Sequence, residues 1–205
     1  MSLTFLINEY WHFFLLIIFA ASAVGFFAGL FGIGGGLISV PCLFFIFETL
    51  NFDKNYLMHL TVGTAFTITI FTSTVSVMTH NKNKLVDFSV VKTFGIFVVI
   101  GVLAGTFFAS IMKTKMLVLF FSVVVYFFGA YLMMAQEKVK KIKPNSSITP
   151  RVILGLFSGF VSAPMGITGA MMNVPILRYL GYPISKCIGS AAAIGLFISL
   201  SLIHI

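Results

Sequence analysis

Two short stretches of the chain have residue types and spacing that point to chemistry. The first is Gly32-Ile33-Gly34-Gly35-Gly36. Glycine reaches positive φ without strain, so successive glycines let a backbone turn and present its N–H groups. A helix restarting near Leu37 would have unpaired N–H groups and a positive dipole end. The natural occupant of such a place is a small anion. The second stretch, Gly166-Ile167-Thr168-Gly169-Ala170, adds a hydroxyl from Thr168, and Asn173 adds an amide. Pro41 and Pro175 lie a turn or more into the restarted helices, where they would bend them. The pairs Gly25/Gly29 and Gly155/Gly159 have instead the four-residue spacing of close helix packing. A nucleotide site is not indicated: position 37 is Leu and no Gly-Lys-Ser/Thr follows.

Hydroxyls crowd the stretch after residue 60, where Thr61 and Thr64 fall near one helical face. Two readings stand side by side: the hydroxyls line a pathway, or they bond back to carbonyls of their own helix. Ser190, in Gly189-Ser190-Ala191, echoes Thr64 in Gly63-Thr64-Ala65. His80 ends its apolar stretch, where it either touches a substrate or is structural. The four histidines and two cysteines are too scattered for a metal site, so no metal or other cofactor is expected. No carboxylate falls mid-stretch to form a proton relay. No acid–base or nucleophile constellation marks an enzyme.

These residues need elements to hold them, and composition says which kind. Of 205 residues, 59 % are hydrophobic and 9 % charged. A soluble domain has roughly 25 % charged residues. This chain cannot cover a water-facing surface, which excludes a soluble enzyme or a free nucleic-acid-binding module; no nucleic-acid partner is expected despite the net charge of +8. Apolar segments fall at about 12–31, 37–47, 57–79, 88–111, 115–135, 151–164, 170–181 and 184–205. The second and seventh are short for a crossing of about 20 residues and read as half-helices or re-entrant pieces. Residues 1–23 read as an uncleaved span, because residues 1–10 carry no Lys or Arg and the apolar run continues past Ala23.

Basic residues set the orientation. If the chain alternates sides with 136–150 in the cytoplasm, ten of the 13 Lys and Arg lie inside. Only Lys54, Lys113 and Lys115 lie outside. The stretch 136–150 reads as a cytoplasmic basic linker between a first membrane repeat, 1–135, and a second, 151–205. The repeat shows in an ungapped match of 25–43 to 159–177, with eight identities in 19 positions. They include Gly32/Gly166, Gly35/Gly169 and Pro41/Pro175. Five segments precede the second copy, so the copies would cross in opposite directions, the inverted-topology architecture of many carriers. The second copy stops after its third segment and reads as truncated. The fold expected is therefore an all-α polytopic membrane protein with Gly-broken helices.

The run GFFAGLFGIGGGLISVP, followed by VGTAFTITIFTSTVSVMTHNKNKLVDFSV, resembles the TauE/SafE family of sulfite and organosulfur-anion exporters. The shared features are the Gly-rich break with Val40-Pro41, then Gly63-Thr64, His80, Lys82/Lys84 and Asp87; Gly189-Ser190 resembles the family's second half. The second break, GITGA, departs from a full glycine run. The resemblance implies a multi-pass cell (inner) membrane transporter, not an enzyme, that exports a small anion such as sulfite. The alternative is a non-transporting subunit or truncated remnant that needs a partner chain. The expected substrate-binding residues are Gly32, Gly34, Gly35, Gly36, Thr61, Thr64, His80, Gly166, Thr168, Gly169, Asn173 and Ser190. The expected partners are the anion, the lipid bilayer, and either a second copy or a second chain that supplies missing spans.

Overall fold

The computed structural model describes residues 11, 15, 18–19, 21–26, 35–134, 148–168 and 170–202. Every regular element among them is helical. Helical backbone at 21–26 precedes seven helices: α1 Gly36–Thr49, α2 Leu57–Lys82, α3 Phe88–Ser110, α4 Thr114–Met134, α5 Ile148–Met165, α6 Ala170–Tyr179 and α7 Ile184–Leu202. Their bounds lie within a few residues of the apolar segments. The linker expected at 136–150 falls outside the described residues up to 147. From Ile148 on, its end belongs to α5.

Length separates two classes. α2, α3, α4, α5 and α7 are long and apolar enough to cross a membrane. α1, with 14 residues, and α6, with 10, are not. At 1.5 Å per residue they reach about 21 and 15 Å, against a hydrocarbon core of about 30 Å.

The helix ends follow from local chemistry. Asp87 starts α3: its carboxylate accepts the amides of Ser89 at 3.2 Å and Val90 at 3.4 Å. Its own amide donates to Ser190 Oγ on α7, and its second carboxylate oxygen lies 3.5 Å from Lys186 Nζ. One side chain thus caps α3 and ties it to the first turn of α7. Four helices stop in the same way, with one left-handed residue and paired back-bonds to the last turn. Those residues are Asn51 after α1, Lys84 after α2, Gly166 after α5 and Gly181 after α6.

Packing is closest between α3 and α5, with α7 against α2 and α3. Phe94, Val98 and Val102 of α3 meet Leu177 of α6 and Ile194 and Ile198 of α7 in the main buried cluster. The α3–α5 contact is made backbone to backbone. A Cβ on Gly101 or Gly105 would overlap the carbonyls of Leu156 and Phe160, and one on Gly159 would overlap that of Val98. Gly155 and Gly159 thus have the packing role their spacing predicts. Gly25 has nothing within 4 Å among the described residues. α4 packs one face, with Phe121, Val124 and Phe128 partly buried, and turns Leu119, Tyr126 and Phe127 outward, as a lipid-facing helix would.

Candidate functional site

The two Gly-rich stretches touch. α5 ends at Met165, and Gly166 then turns left-handed at φ +67°. The Gly166 amide donates to the Ala163 carbonyl at 3.3 Å, and the Ile167 amide to that of Ser162 at 3.4 Å. α6 begins at Ala170, 134 residues after the start of α1 at Gly36, the same offset that separates the sequence copies. A Cβ on Gly36 would lie 2.8 Å from the Gly166 oxygen and 3.0 Å from Ile167 Cα. A Cβ on Gly166 would lie 3.0 Å from Val40 Cγ2 and 3.3 Å from Val62 Cα. The first turn of α1 therefore rests on the cap of α5, and side chains at either glycine would push them apart.

The geometry changes the chemistry expected at two positions. The Gly166 and Ile167 amides are engaged in closing α5, and the Ala170 amide donates to the Thr168 carbonyl at 2.7 Å, so ligand donors near this break must come from the first turn of α6 beyond Ala170. Gly35 has ordinary right-handed geometry, φ −64° and ψ −29°, and a Cβ added there would meet nothing within 4 Å among the described residues. A left-handed turn is not the reason for glycine there; the open space in front of it is the notable feature.

The other expected residues fall into groups. The Thr168 oxygen lies 3.2 Å from a Cβ position on Gly195, and Ser73 Oγ lies 3.6 Å from the same point. The second break thus meets α2 between the levels of Val62 and Ser73, which bracket the middle of that helix. Asn173 is fully buried; its Oδ1 accepts from Ser158 Oγ at 2.5 Å, and its Nδ2 has no hydrogen-bond partner among the described residues. It is a spare donor one turn into α6. Thr61 donates to the Leu57 carbonyl and Thr64 to that of Leu60, each at 2.8 Å. Thr67, Thr69 and Thr74 do likewise. Back-bonding therefore describes these hydroxyls, and each must rotate before it can donate to an anion. His80 lies 19 residues beyond Thr61 on α2, about 28 Å along the axis, too far for both to hold one small ion. Ser190 sits at that same far end, bonded to Asp87. Gly32, Gly34 and Gly169 lie outside the described residues.

A cavity of about 1310 Å³ leads toward the break. Its buried lining includes Phe66, Leu117, Ala163 and Pro164, and Val62 of its wall lies, with Val40, beside Gly166. Its exposed lining includes Lys54, Lys113 and Lys115. Thr64 and Thr67 lie on its α2 wall. His59, also lining it, sits with Nε2 3.1 Å from the Ala109 oxygen, which places the proton on that nitrogen; Nδ1 is buried without a partner among the described residues. Sequence reasoning passed over these lysines and His59. The signal was present: the lysines are the three that the orientation count sets apart from the other ten.

The sulfite exporter TauE/SafE family model matches residues 17–204. The chain belongs to the TauE/SafE family. A probable membrane transporter protein from Haemophilus influenzae is 31 % identical over 196 residues, 92 % of this chain and 72 % of that protein. One from Methanocaldococcus jannaschii is 26 % identical over 180 residues, 87 % of this chain and 67 % of that protein. No solved structure matches the chain. The five long apolar helices among the described residues suit the membrane transporter that TauE/SafE membership makes it.

Proposed function

We propose that the chain moves a small oxyanion, sulfite or an organosulfur anion, outward across the cell membrane, holding it where the two helix breaks meet. The observation that carries this reading is the seating of Gly36 on Gly166–Ile167 beside a cavity wall that includes Val62, Ala163 and Pro164. There, two helices too short to span begin at the middle of the bundle. Their N-terminal turns supply N–H donors and positive dipole ends without a fixed charge. Asn173 Nδ2 is a further donor, and the space before Gly35 is room for a ligand.

Two finer statements belong to the same reading. The halves 1–135 and 151–205 are inverted repeats: α1 and α6 start at the repeat offset, and each has proline as its sixth residue. Five helix steps separate them, so parity makes them antiparallel. The end of the bundle holding Lys82, Lys84, Lys186 and Arg178 faces the cytoplasm, which puts the cavity on the outer side. An outward-moving anion gains about 2.3 kcal/mol per charge per 100 mV of inside-negative potential. Export by this route needs no intramembrane carboxylate. The test is efflux from proteoliposomes loaded in turn with sulfite, sulfate, thiosulfate and methanesulfonate. Faster loss of at least one anion than from protein-free vesicles, accelerated by an outside-positive potential, is expected. Rates equal to protein-free vesicles for all four would end the proposal.

A further inference from the structure

The cavity has a charge pattern that the break does not explain. Among the described residues its lining contains Lys54, Lys113 and Lys115 and no carboxylate. Among the described residues none of the three is ion-paired; the nearest carboxylate in sequence, Asp53, accepts the Asn55 amide and is not part of the lining. The lysines come from distant stretches but are held together. Thr114 Oγ1 donates to the Asn55 carbonyl at 2.7 Å, which fastens the loop after α1 to the first residue of α4. Lys113 and Lys115 flank that residue. The amides of Met116 and Leu117 turn back to the Lys113 carbonyl, so the positive end of a 21-residue helix adds to the same field. Three like charges on one rim repel each other at a cost in stability, unless a counter-charge of opposite sign occupies the space between them.

We propose that this rim is a second anion station, separate from the helix breaks, which selects multiply charged oxyanions and passes them to or from the inner site. It rests on the reading of the chain as an anion carrier only for what happens after binding. Two or three ammonium groups around one ligand favour a dianion over a monoanion of the same shape, and salt screens that preference over about 10 Å at 0.1 M. The chemistry would suit equally a free oxyanion or the phosphate of an anionic lipid, and the proposal commits to the free ion.

The test uses the full chain purified in neutral detergent, with inorganic sulfate and methanesulfonate as probes in calorimetric titrations at low and high ionic strength. The parent is expected to prefer sulfate at low salt and lose that preference at high salt. Lys113→Gln/Lys115→Gln should weaken sulfate binding about tenfold, the combined effect of two partly exposed charge contacts, and change methanesulfonate binding little. Lys92→Gln, an exposed lysine on α3 outside the cavity, should change neither. These lysines are exposed, so the variants keep their fold, and an unchanged melting midpoint checks this. Equal sulfate affinity in parent and double variant would overturn the proposal while leaving the carrier reading intact; efflux failure with this binding intact would do the reverse. Repeating the titration in phosphatidylcholine and phosphatidylglycerol nanodiscs separates the two sources. Sulfate binding retained in both supports the free-ion station, and binding abolished by phosphatidylglycerol would overturn it in favour of a lipid headgroup.

Discussion

At the scale of single residues, three neighbouring glycines divide into two that resist a side chain and one that accepts it. Gly166→Ala forces a left-handed side chain into contact with Val40 and Val62, so it should destabilise the protein by about 1–2 kcal/mol. Gly36→Ala directs its methyl at the Gly166 carbonyl and should be comparably damaging, about 1–3 kcal/mol, by overpacking. Gly35→Ala meets nothing within 4 Å among the described residues at an ordinary helical φ and should stay within about 0.5 kcal/mol of the parent. Unfolding midpoints of the three variants in one detergent check the order. An identical midpoint for Gly35→Ala and Gly166→Ala would contradict the placement of the break. A fourth residue gives a gain: Lys84 holds φ 56°, so Lys84→Gly should add up to about 1 kcal/mol by relieving left-handed strain. The glycines were visible in the sequence as candidates for backbone chemistry. Which of them turns left-handed was not, because that depends on where α5 stops and closes its last carbonyls.

At the scale of elements, the apolar segments of the sequence match the helices because each is bounded by a local signal. Asp87 caps α3, and Gly181-Tyr182-Pro183 ends α6 and precedes α7. The half-helices were legible for the same reason, since length alone sets them below a bilayer crossing. The α3–α5 seam was half legible. Gly155/Gly159 stood out, while Gly101/Gly105 has the same spacing on the partner helix and completes the contact. Gly105→Leu should therefore prevent stable folding, judged by loss of a monodisperse peak in detergent chromatography. Gly95→Ala, whose methyl would meet only side-chain atoms, Ile194 Cγ1 at 3.4 Å and Val91 Cγ1 at 3.9 Å, should survive. Asp87→Ala should cost about 1 kcal/mol by uncapping α3, with a further loss of the α3–α7 tie. The threonines of α2 left two readings open in the sequence. The choice between them rests on hydroxyl geometry, and the hydroxyls lie on their own i−4 carbonyls.

At the scale of the whole molecule, the bundle separates its charges. Lys54, Lys113 and Lys115 gather at the end where His59 meets Ala109, while Lys186 pairs with Asp87 at the other. About 39 Å of α2, 26 residues at 1.5 Å each, lies between the ends. Single cysteines at 113 and 84, in a Cys42→Ser/Cys187→Ser background, should label oppositely. An impermeant thiol reagent added to intact cells should modify Lys113→Cys and spare Lys84→Cys, and the reverse pattern would invert the orientation. The cavity could not be read from sequence, because three stretches far apart in the chain, 54–67, 106–117 and 163–164, form it together with Leu202.

The central claim is that a small anion sits where the helix breaks meet. Its most direct test is sulfite efflux from proteoliposomes by Gly35→Val against the parent, each normalised to folded protein. Valine adopts φ −64° without strain, and a Cβ there meets nothing within 4 Å among the described residues, so the variant should fold with the parent's midpoint. Its side chain would fill the space kept for the ligand and cover donors at the start of α1. A charge-assisted hydrogen bond is worth roughly 1.5–3 kcal/mol, so efflux should fall about tenfold to a hundredfold. A Gly35→Val protein that folds and exports sulfite at the parent's rate would contradict the account.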